Sequence, residues 1–142
     1  MSDEKASRLA GAVNWLLTLM CKDFNVPMEK CPLAEVVPNE EIEKKCGVDA
    51  CGCYDYVRQE IILSTKCADL GSVLHEFKHH LQFLDADENP DKAFTGYDKP
   101  HCRRPHERDA KNFTTVFYRF YIDAWDEIRR REGLGEEKHG KP

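Results

Sequence analysis

The sequence predicts an α+β domain in which a small mixed β-sheet packs on a central helix and on a long C-terminal helix. Apolar stripes with helical spacing predict the two helices, one around residues 70–84 and one from Pro105 to Ile128. Short runs rich in aliphatic, β-branched or aromatic residues precede the central helix and predict the strands. With 142 residues the chain can bury its own core, so we expect one domain over residues 1–142.

The segments before the central helix predict a helix, a strand, a short helix and a hairpin. An amphipathic pattern predicts a helix over residues 4–21, and Leu33 to Val37 forms the first candidate strand. Residues 39–45 predict a brief charged helix without an expected function. Tyr54 to Val57 and Glu60 to Ser64 predict the two strands of the hairpin.

The central helix is expected to begin soon after the hairpin, with Ser64 or Thr65 as its N-cap. The polar connection over residues 85–104 is long for a compact domain, and connections of this length are more often functional than idle. Pro105 suits the first position of the C-terminal helix, which is expected to end before Gly133. Loose tails are expected at about residues 1–4 and 134–142.

Composition and charge exclude several classes of function. The chain carries 21 basic and 26 acidic residues, a net charge of −5, whereas non-specific nucleic-acid binding needs a basic surface. The acidic start, Met1-Ser2-Asp3-Glu4, lacks the pattern of a secretion signal, and no apolar run approaches the length of a membrane span. We therefore expect a cytoplasmic protein with neither a membrane nor a nucleic-acid partner.

The central helix carries a His-Glu-x-x-His sequence formed by His75, Glu76 and His79. Residues four apart lie on one face of a helix, so His75 and His79 can offer two imidazole nitrogens to one metal ion. Glu76 can reach a water molecule on that metal without being a ligand itself. This chemistry favours one catalytic Zn²⁺. The alternative is a solvated helix with two surface histidines.

A catalytic zinc site needs a third protein ligand, and the sequence offers four candidates downstream: Asp85, His101, His106 and Glu107. Glu107 is favoured because Pro105 places it in the first turn of a helix whose apolar face must pack on the core. Such a turn is a rigid support for a metal ligand. Asp85 and His101, by contrast, lie at or beyond the end of the central helix.

Glu107 and Ala110 form a Glu-x-x-Ala sequence that, together with His75, Glu76 and His79, resembles the zinc site of gluzincin metallopeptidases. The order of predicted elements is similar to a minimal zincin domain, as in the ImmA/IrrE-type and SprT-like metallopeptidases. The resemblance implies a zincin-like metallopeptidase domain with Glu107 as the third zinc ligand.

One position departs from the pattern of the larger gluzincins. These carry an Asp four residues after the glutamate ligand, where it orients a zinc-bound histidine, whereas this chain has Lys111. Asp109 or Asn112 could take over this orientation. The sequence does not decide between them.

The predicted activity is hydrolysis of peptide bonds by a zinc-activated water, with Glu76 as the general base. Tyr97, His101 and His106 are candidate hydrogen-bond donors to the transition state. The expected substrate is a peptide or protein, which could pair with an edge strand at Ile61 to Ser64. Two alternatives stay open: a zinc-binding regulatory or interaction module without turnover, and a zinc hydrolase of a non-peptide amide.

The chain has seven cysteines, an odd number that cannot all pair within it. Cys46, Cys51, Cys53 and Cys67 could form a structural zinc site or disulfides, although their spacing lacks the usual two-residue zinc knuckle. Separate free thiols are the preferred expectation, as in a reducing compartment, unless the source is a hyperthermophile. Cys102 lies near the proposed site and could ligate or block the metal in a redox-sensitive way.

Overall fold

Five helices and a three-stranded sheet make up the part of the chain that the computed structural model describes, residues 3–47, 50–135 and 137. In chain order the elements are α1 (Asp3–Asp23), β1 (Leu33–Val37), α2 (Asn39–Cys46), β2 (Gly52–Asp55), β3 (Glu60–Ser64), α3 (Leu70–Asp85), α4 (Pro90–Ala93) and α5 (Pro105–Arg131). Single 3-10 turns occur at Met28–Lys30 and His101–Arg103. The predicted α+β class, with a small mixed sheet and a long C-terminal helix, is confirmed.

The sheet has the order β1-β3-β2, with β3 parallel to β1 and antiparallel to β2. Ile61 and Leu63 on β3 face the main core with α1, α3 and α5, whereas Ile62 packs with Ile42 of α2 on the other face. Because β3 is paired on both sides, the expectation that a peptide could add at Ile61 to Ser64 is wrong. The strand at the edge is β2.

The first strand of the hairpin begins and ends earlier than its aromatic residues predict, whereas the second strand has the predicted bounds, Glu60–Ser64. Strand β2 covers Gly52–Asp55 rather than Tyr54 to Val57. The reason is the Asp55 side chain, which accepts hydrogen bonds from the backbone N–H groups of Val57 and Arg58 at 3.0 and 3.2 Å. An aspartate that binds the backbone in this way starts a turn, so the strand stops there.

Helix α3 starts later than expected, because the residues proposed as its N-cap still belong to the sheet. The Ser64 N–H donates to the Cys51 carbonyl at 2.8 Å, and the Thr65 N–H donates to the Val37 carbonyl at 3.0 Å. The N-cap is Asp69, whose side chain accepts a hydrogen bond from the Ser72 N–H at 2.8 Å. This carboxylate satisfies one of the unpaired donors of the first helical turn.

Helix α1 binds the outer edge of β1 at one residue, Ala34, through the side chain of Asn14. The Asn14 amide accepts a hydrogen bond from the Ala34 N–H at 2.7 Å and donates one to the Ala34 carbonyl at 3.1 Å. Both backbone groups of Ala34 are thereby occupied. Strands β1 and β2 are the two outer strands of the sheet in the described part of the chain, and of these β2 borders the cleft described below.

The main core lies between α1, α3 and α5. Phe24, just after α1, contacts the rings of Phe77 on α3 and of Phe113 and Phe117 on α5, with centroids 5.2–5.9 Å apart. Trp125 is fully buried on the same helix. Buried aromatic residues of α5 thus have the core role that their spacing indicates and hold α5 alongside α3, whereas Phe120, which the spacing also places on this face, is 76% exposed.

The predicted loose tails lie partly outside the described residues, which omit 1–2, 136 and 138–142. Near the C-terminus, the Glu137 carboxylate accepts hydrogen bonds from the Leu70 N–H at 2.9 Å and the Trp125 indole N–H at 2.8 Å. Among the described helices, none is both long enough and apolar enough to cross a membrane.

Candidate metal centre

A cleft of about 750 Å³ opens between α3, the start of α5, β2 and the segment that joins α3 to α5. Its lining includes all seven side chains that the sequence predicts as metal ligands, general base or transition-state donors: His75, Glu76, His79, Tyr97, His101, His106 and Glu107. A larger open groove between α1 and α2 has neither histidine nor cysteine among its described lining residues. The cleft is therefore the candidate functional site.

Three side chains converge at the bottom of the cleft. His75 and His79 lie four residues apart on α3, and their ring centroids are 4.9 Å apart. The Nε2 atoms of both rings lie 2.9 and 3.0 Å from one carboxylate oxygen of Glu107. The potential ligand atoms of these three residues all lie within 4.8 Å of one another, as the binding of one metal ion requires.

Glu107 reaches this position from the first turn of α5, which begins with Pro105. Ala110, one turn further on, is completely buried and allows α5 to approach α3 closely. Burial would raise the pKa of Glu107, but hydrogen bonds with His75 and His79 hold that pKa well below its usual range. Asp85, the last residue of α3, neither belongs to this cluster nor lines the cleft.

The side chain that orients His79 is Gln82, three residues further along α3. Its Oε1 accepts a hydrogen bond from the His79 Nδ1 atom at 2.8 Å, which directs the Nε2 atom of the ring toward Glu107. Its Nε2 atom donates to the His106 carbonyl at 2.8 Å and to the Asp109 carboxylate at 3.0 Å. Asp109 thus acts through Gln82 rather than on a histidine directly. The signal in the sequence was the i, i+3 spacing from His79.

Glu76 is buried in the cleft wall, with 8% of its surface exposed. Burial raises its pKa above the ordinary value, although the nearby His79 and His75 act in the opposite direction. Its carboxylate makes no hydrogen bond to any other residue in the described part of the chain. Its oxygens are not among the fully buried polar atoms without a partner, so they reach the surface of the cleft, where their place beside the two histidines suits a proton acceptor.

The three candidate donors differ in their position. His106 is buried, and its Nδ1 accepts a hydrogen bond from the Thr95 N–H at 3.3 Å, so its Nε2 carries the proton and lies 3.5 Å from Glu107. Burial lowers the pKa of His106, which keeps the ring neutral. His101 is largely exposed, with Nε2 3.1 Å from Glu107. Tyr97 packs on the His106 ring instead.

His80, next to His79 in the sequence, has a structural role that the sequence did not reveal. Its Nδ1 accepts a hydrogen bond from the Tyr54 hydroxyl at 2.6 Å, and its Nε2 donates to the Lys30 carbonyl at 2.6 Å. Burial lowers the pKa of His80, in agreement with a neutral ring that uses one nitrogen as donor and the other as acceptor. His80 therefore connects α3 to β2, the strand that borders the cleft.

Four of the seven cysteines form disulfides in the structure, Cys46 with Cys53 and Cys51 with Cys67. The preferred expectation of separate free thiols is therefore wrong for these four, and they do not form a second zinc site. The two bonds connect β2 to α2 and to the turn before α3. Cys21, Cys31 and Cys102 are thiols, and Cys102 is exposed without lining the cleft.

Comparison of the chain with protein-family models, with curated proteins and with solved structures finds no match. The functional interpretation therefore depends on the chemistry of the side chains in the cleft.

Proposed function

We propose that this chain is a zinc-dependent metallopeptidase of the gluzincin type, with one zinc ion held by His75, His79 and Glu107. The observation that carries this proposal is the convergence of two imidazole nitrogens on one carboxylate, at 2.9 and 3.0 Å, beside the buried carboxylate of Glu76. Two nitrogen ligands and one oxygen ligand form a set typical of catalytic zinc sites, which leave a position open for water or substrate.

The chemistry of the donor set supports zinc over harder cations. Magnesium and calcium prefer sites made of oxygen ligands, whereas two imidazoles favour zinc or a neighbouring transition metal. Gln82 also fits this role, because metal-binding histidines usually donate their second ring N–H to a carbonyl or carboxylate. When bound, zinc supplies a water molecule whose pKa is lowered to about 7.

The residues of the cleft then have separate roles in hydrolysis. Glu76 accepts the proton of the attacking water and passes it to the leaving amine, a task for which a carboxylate with a raised pKa is suited. His106 donates its Nε2–H to the carbonyl oxygen as negative charge develops there. Its buried position and its hydrogen bond from Thr95 hold the ring in the tautomer that this donation needs.

The substrate is a peptide or protein that pairs with the open edge of β2. Strand β2 borders the cleft with Gly52, Cys53 and Tyr54, and its other edge already pairs with β3. Backbone hydrogen bonds to an edge strand hold a peptide in an extended form, independently of its sequence. This pairing would lay the peptide across the three proposed zinc ligands.

The expected cytoplasmic location stays a prediction. The two disulfides are typical of oxidising compartments or of the cell interior of hyperthermophiles. A cytoplasmic location is therefore compatible with both bonds only if the cytoplasm leaves disulfides intact, as it does in hyperthermophiles.

The test separates metal binding from catalysis by comparing Glu76→Gln with His79→Ala. Zinc-loaded Glu76→Gln should retain about one zinc per chain and lose turnover of an unfolded protein substrate, because the base is removed and the ligands stay. His79→Ala should lose both. Zinc is measured by elemental analysis after gel filtration, and turnover by the appearance of new N-termini.

Two outcomes would contradict the proposal. If Glu76→Gln lost zinc as readily as His79→Ala, Glu76 would be part of the metal site rather than the base. If the unaltered protein bound zinc but cleaved no peptide bond, the chain would be a zinc-binding module or would act on a different amide.

A further inference from the structure

One end of the cleft is lined with aromatic side chains from two different segments. Tyr54 and Tyr56 come from β2 and the turn that follows it, and Phe94 and Tyr97 come from the segment between α3 and α5. The ring centroids of Tyr54 and Tyr56 lie 6.5 and 6.1 Å from that of Phe94, distances typical of packed aromatic pairs. We call these four side chains the aromatic wall.

The aromatic wall adjoins the proposed zinc ligands directly. The centroid of Phe94 lies 5.9 Å from that of His79 and 5.3 Å from that of His106. Tyr97 contacts the same His106 ring at 5.8 Å. A group bound against this wall would therefore lie next to the atoms that react.

The opposite end of the cleft is lined with small side chains. Strand β2 and α3 run in the same direction, since Tyr54 contacts His80 and Tyr56 contacts Phe83 further along. The aromatic wall thus lies toward the C-terminal half of α3. Near the N-terminal end of α3 the lining consists of Ala50, Gly52, Gly71, Ser72 and the two disulfides.

We infer that the aromatic wall is a specificity site that binds an aromatic or large aliphatic side chain of the substrate, next to the bond that is cleaved. This inference rests on the proposed peptidase function and adds the class of substrate. Tyr56 and Tyr97 are 41% and 64% exposed, so part of the wall is free to cover a further apolar group. Burial of that group against four rings favours binding in proportion to its apolar area.

A charged side chain would be disfavoured at the same place. No Lys or Arg side chain lines the cleft within the described residues; the Arg104 guanidinium lies 4.5 Å from the centre of the Tyr97 ring but is not part of the lining. No carboxylate other than Glu76 and Glu107 lines the cleft within the described residues, and both are assigned to catalysis. A substrate ammonium group would lose its hydration there without a free carboxylate in the lining, and a substrate carboxylate would lose its hydration without a Lys or Arg in the lining.

The first experiment maps cleavage sites in an unfolded protein by mass spectrometry, using zinc-loaded enzyme. Aromatic and large aliphatic residues should be enriched at one position beside the cleaved bonds, by at least about tenfold over Asp and Glu. Tyr56→Ala and Phe94→Ala should each lower this enrichment. Val57→Ala is the matched control, because Val57 is 80% exposed beside Tyr56 and does not line the cleft.

The second experiment measures binding without turnover, using zinc-loaded Glu76→Gln and two alanine-rich decapeptides with either one Phe or one Asp at the centre. The Phe peptide should bind at least about tenfold more tightly. Phe94→Ala in the same background should remove the difference, while zinc content and unfolding temperature report whether that variant still folds. If Phe94→Ala does not fold, Tyr56→Ala takes its place, because Tyr56 is half exposed.

The two experiments distinguish the inference from the proposed function. Cleavage without any aromatic preference, or a preference unchanged in Tyr56→Ala and Phe94→Ala, would overturn the specificity site and leave the peptidase standing. If the unaltered protein cleaves no peptide bond, the proposed peptidase function is refuted. The binding experiment alone then tests whether the aromatic wall is a specificity site. Tighter binding of the Phe peptide then supports the site, whereas equal affinities, or binding of neither peptide, overturn it.

Discussion

The floor and the rim of the cleft are held in place by different means. The floor consists of the proposed ligands and their supports on α3 and α5, where His79 binds Gln82 and Gln82 binds Asp109. The rim consists of β2 and residues 86–104. Two disulfides, at Cys53 in β2 and at Cys51 just before it, attach β2 covalently to the rest of the chain. The other side of the rim is held by two hydrogen bonds, from the Thr95 N–H to His106 and from the Arg104 side chain to the Lys99 carbonyl.

This difference leads us to expect that metal binding and the proposed substrate binding depend on different parts of the cleft. Substitutions in the floor should change metal affinity and turnover, because each polar group there orients the next one. Changes to the rim should alter stability and substrate binding while the metal stays bound. The predictions below test this separation, from the largest expected effect to the smallest.

Glu107→Ala should cause the largest loss. The variant removes a ligand and leaves His75 and His79 without their shared partner. Zinc affinity should therefore fall by more than about 100-fold, the upper end of the effects typical of residues that only orient a ligand. Turnover should disappear with the metal. Competition with a chelator of known affinity measures the change.

Asp85→Ala and His101→Ala are the controls for the third ligand. Both should keep zinc affinity within about tenfold, the low end of outer-shell effects. Intact affinity in Glu107→Ala, together with a large loss in either control, would remove the chain from the gluzincin type.

Gln82→Leu should weaken zinc binding by about 10- to 100-fold, because His79 loses the acceptor that orients its ring. Lys111→Ala is the control, since Lys111 stands where the larger gluzincins carry an orienting Asp and is exposed here. Zinc titration of both variants measures the effect. An equal loss in the two would show that Gln82 does not have this role.

Reduction of the disulfides should lower stability and peptide binding while zinc binding at the floor stays unchanged. Each native bond contributes about 2–4 kcal/mol to the free energy of unfolding, so reduced protein should unfold at lower denaturant concentration and bind peptide more weakly. Zinc content should not change, because no floor residue is a cysteine. Denaturant titration and peptide binding with and without reductant provide the measurement.

The thiol count checks the pairing itself. Unfolded protein without reductant should expose three reactive thiols, Cys21, Cys31 and Cys102. After reduction it should expose all seven. Seven thiols without reductant would refute both disulfides and, with them, the covalent attachment of the rim.

The smallest effect concerns the pH dependence of zinc binding to the floor. Burial would lower the pKa of His79 in metal-free protein, but the hydrogen bond to Glu107 raises it above the ordinary value. Zinc must displace this proton, so affinity is highest above that pKa and should fall by about tenfold per pH unit below it. Proton release measured during zinc titration at neutral pH tests this, and an affinity independent of pH would contradict it.

The sequence predicts the floor well, because helical periodicity and motif spacing determine it. The stripe around Phe77 predicts α3, and Pro105 correctly indicates where α5 begins and where Glu107 stands. The His-Glu-x-x-His spacing brings His75 and His79 to one side of α3 without any knowledge of the tertiary structure. The positions of residues within one helix, or in its first turn, depend on nearby residues and can therefore be predicted from the sequence.

The rim could not be predicted because distant segments determine it. The pairing of Cys51 with Cys67 depends on the register of β2 against β3, and the bounds of β2 differ from the predicted ones because Asp55 starts the turn. Phe94 reaches His79 only because the segment after α4 folds back over the cleft. The N-cap error at Ser64 has the same origin, since the sheet keeps that residue.

The hydrogen bonds between the Asn14 side chain and the Ala34 backbone have a consequence for self-association. An exposed strand edge tends to recruit other chains, and proteins commonly protect their edges against this. Asn14 occupies the Ala34 backbone and so blocks strand addition at that point of β1, while β2 pairs with no strand other than β3 among those described. Two copies that joined edge to edge would need the same groups as a bound peptide. If the proposed peptide binding holds, self-association through β2 and peptide binding would exclude each other, and an excess of peptide should lower the tendency of the protein to aggregate.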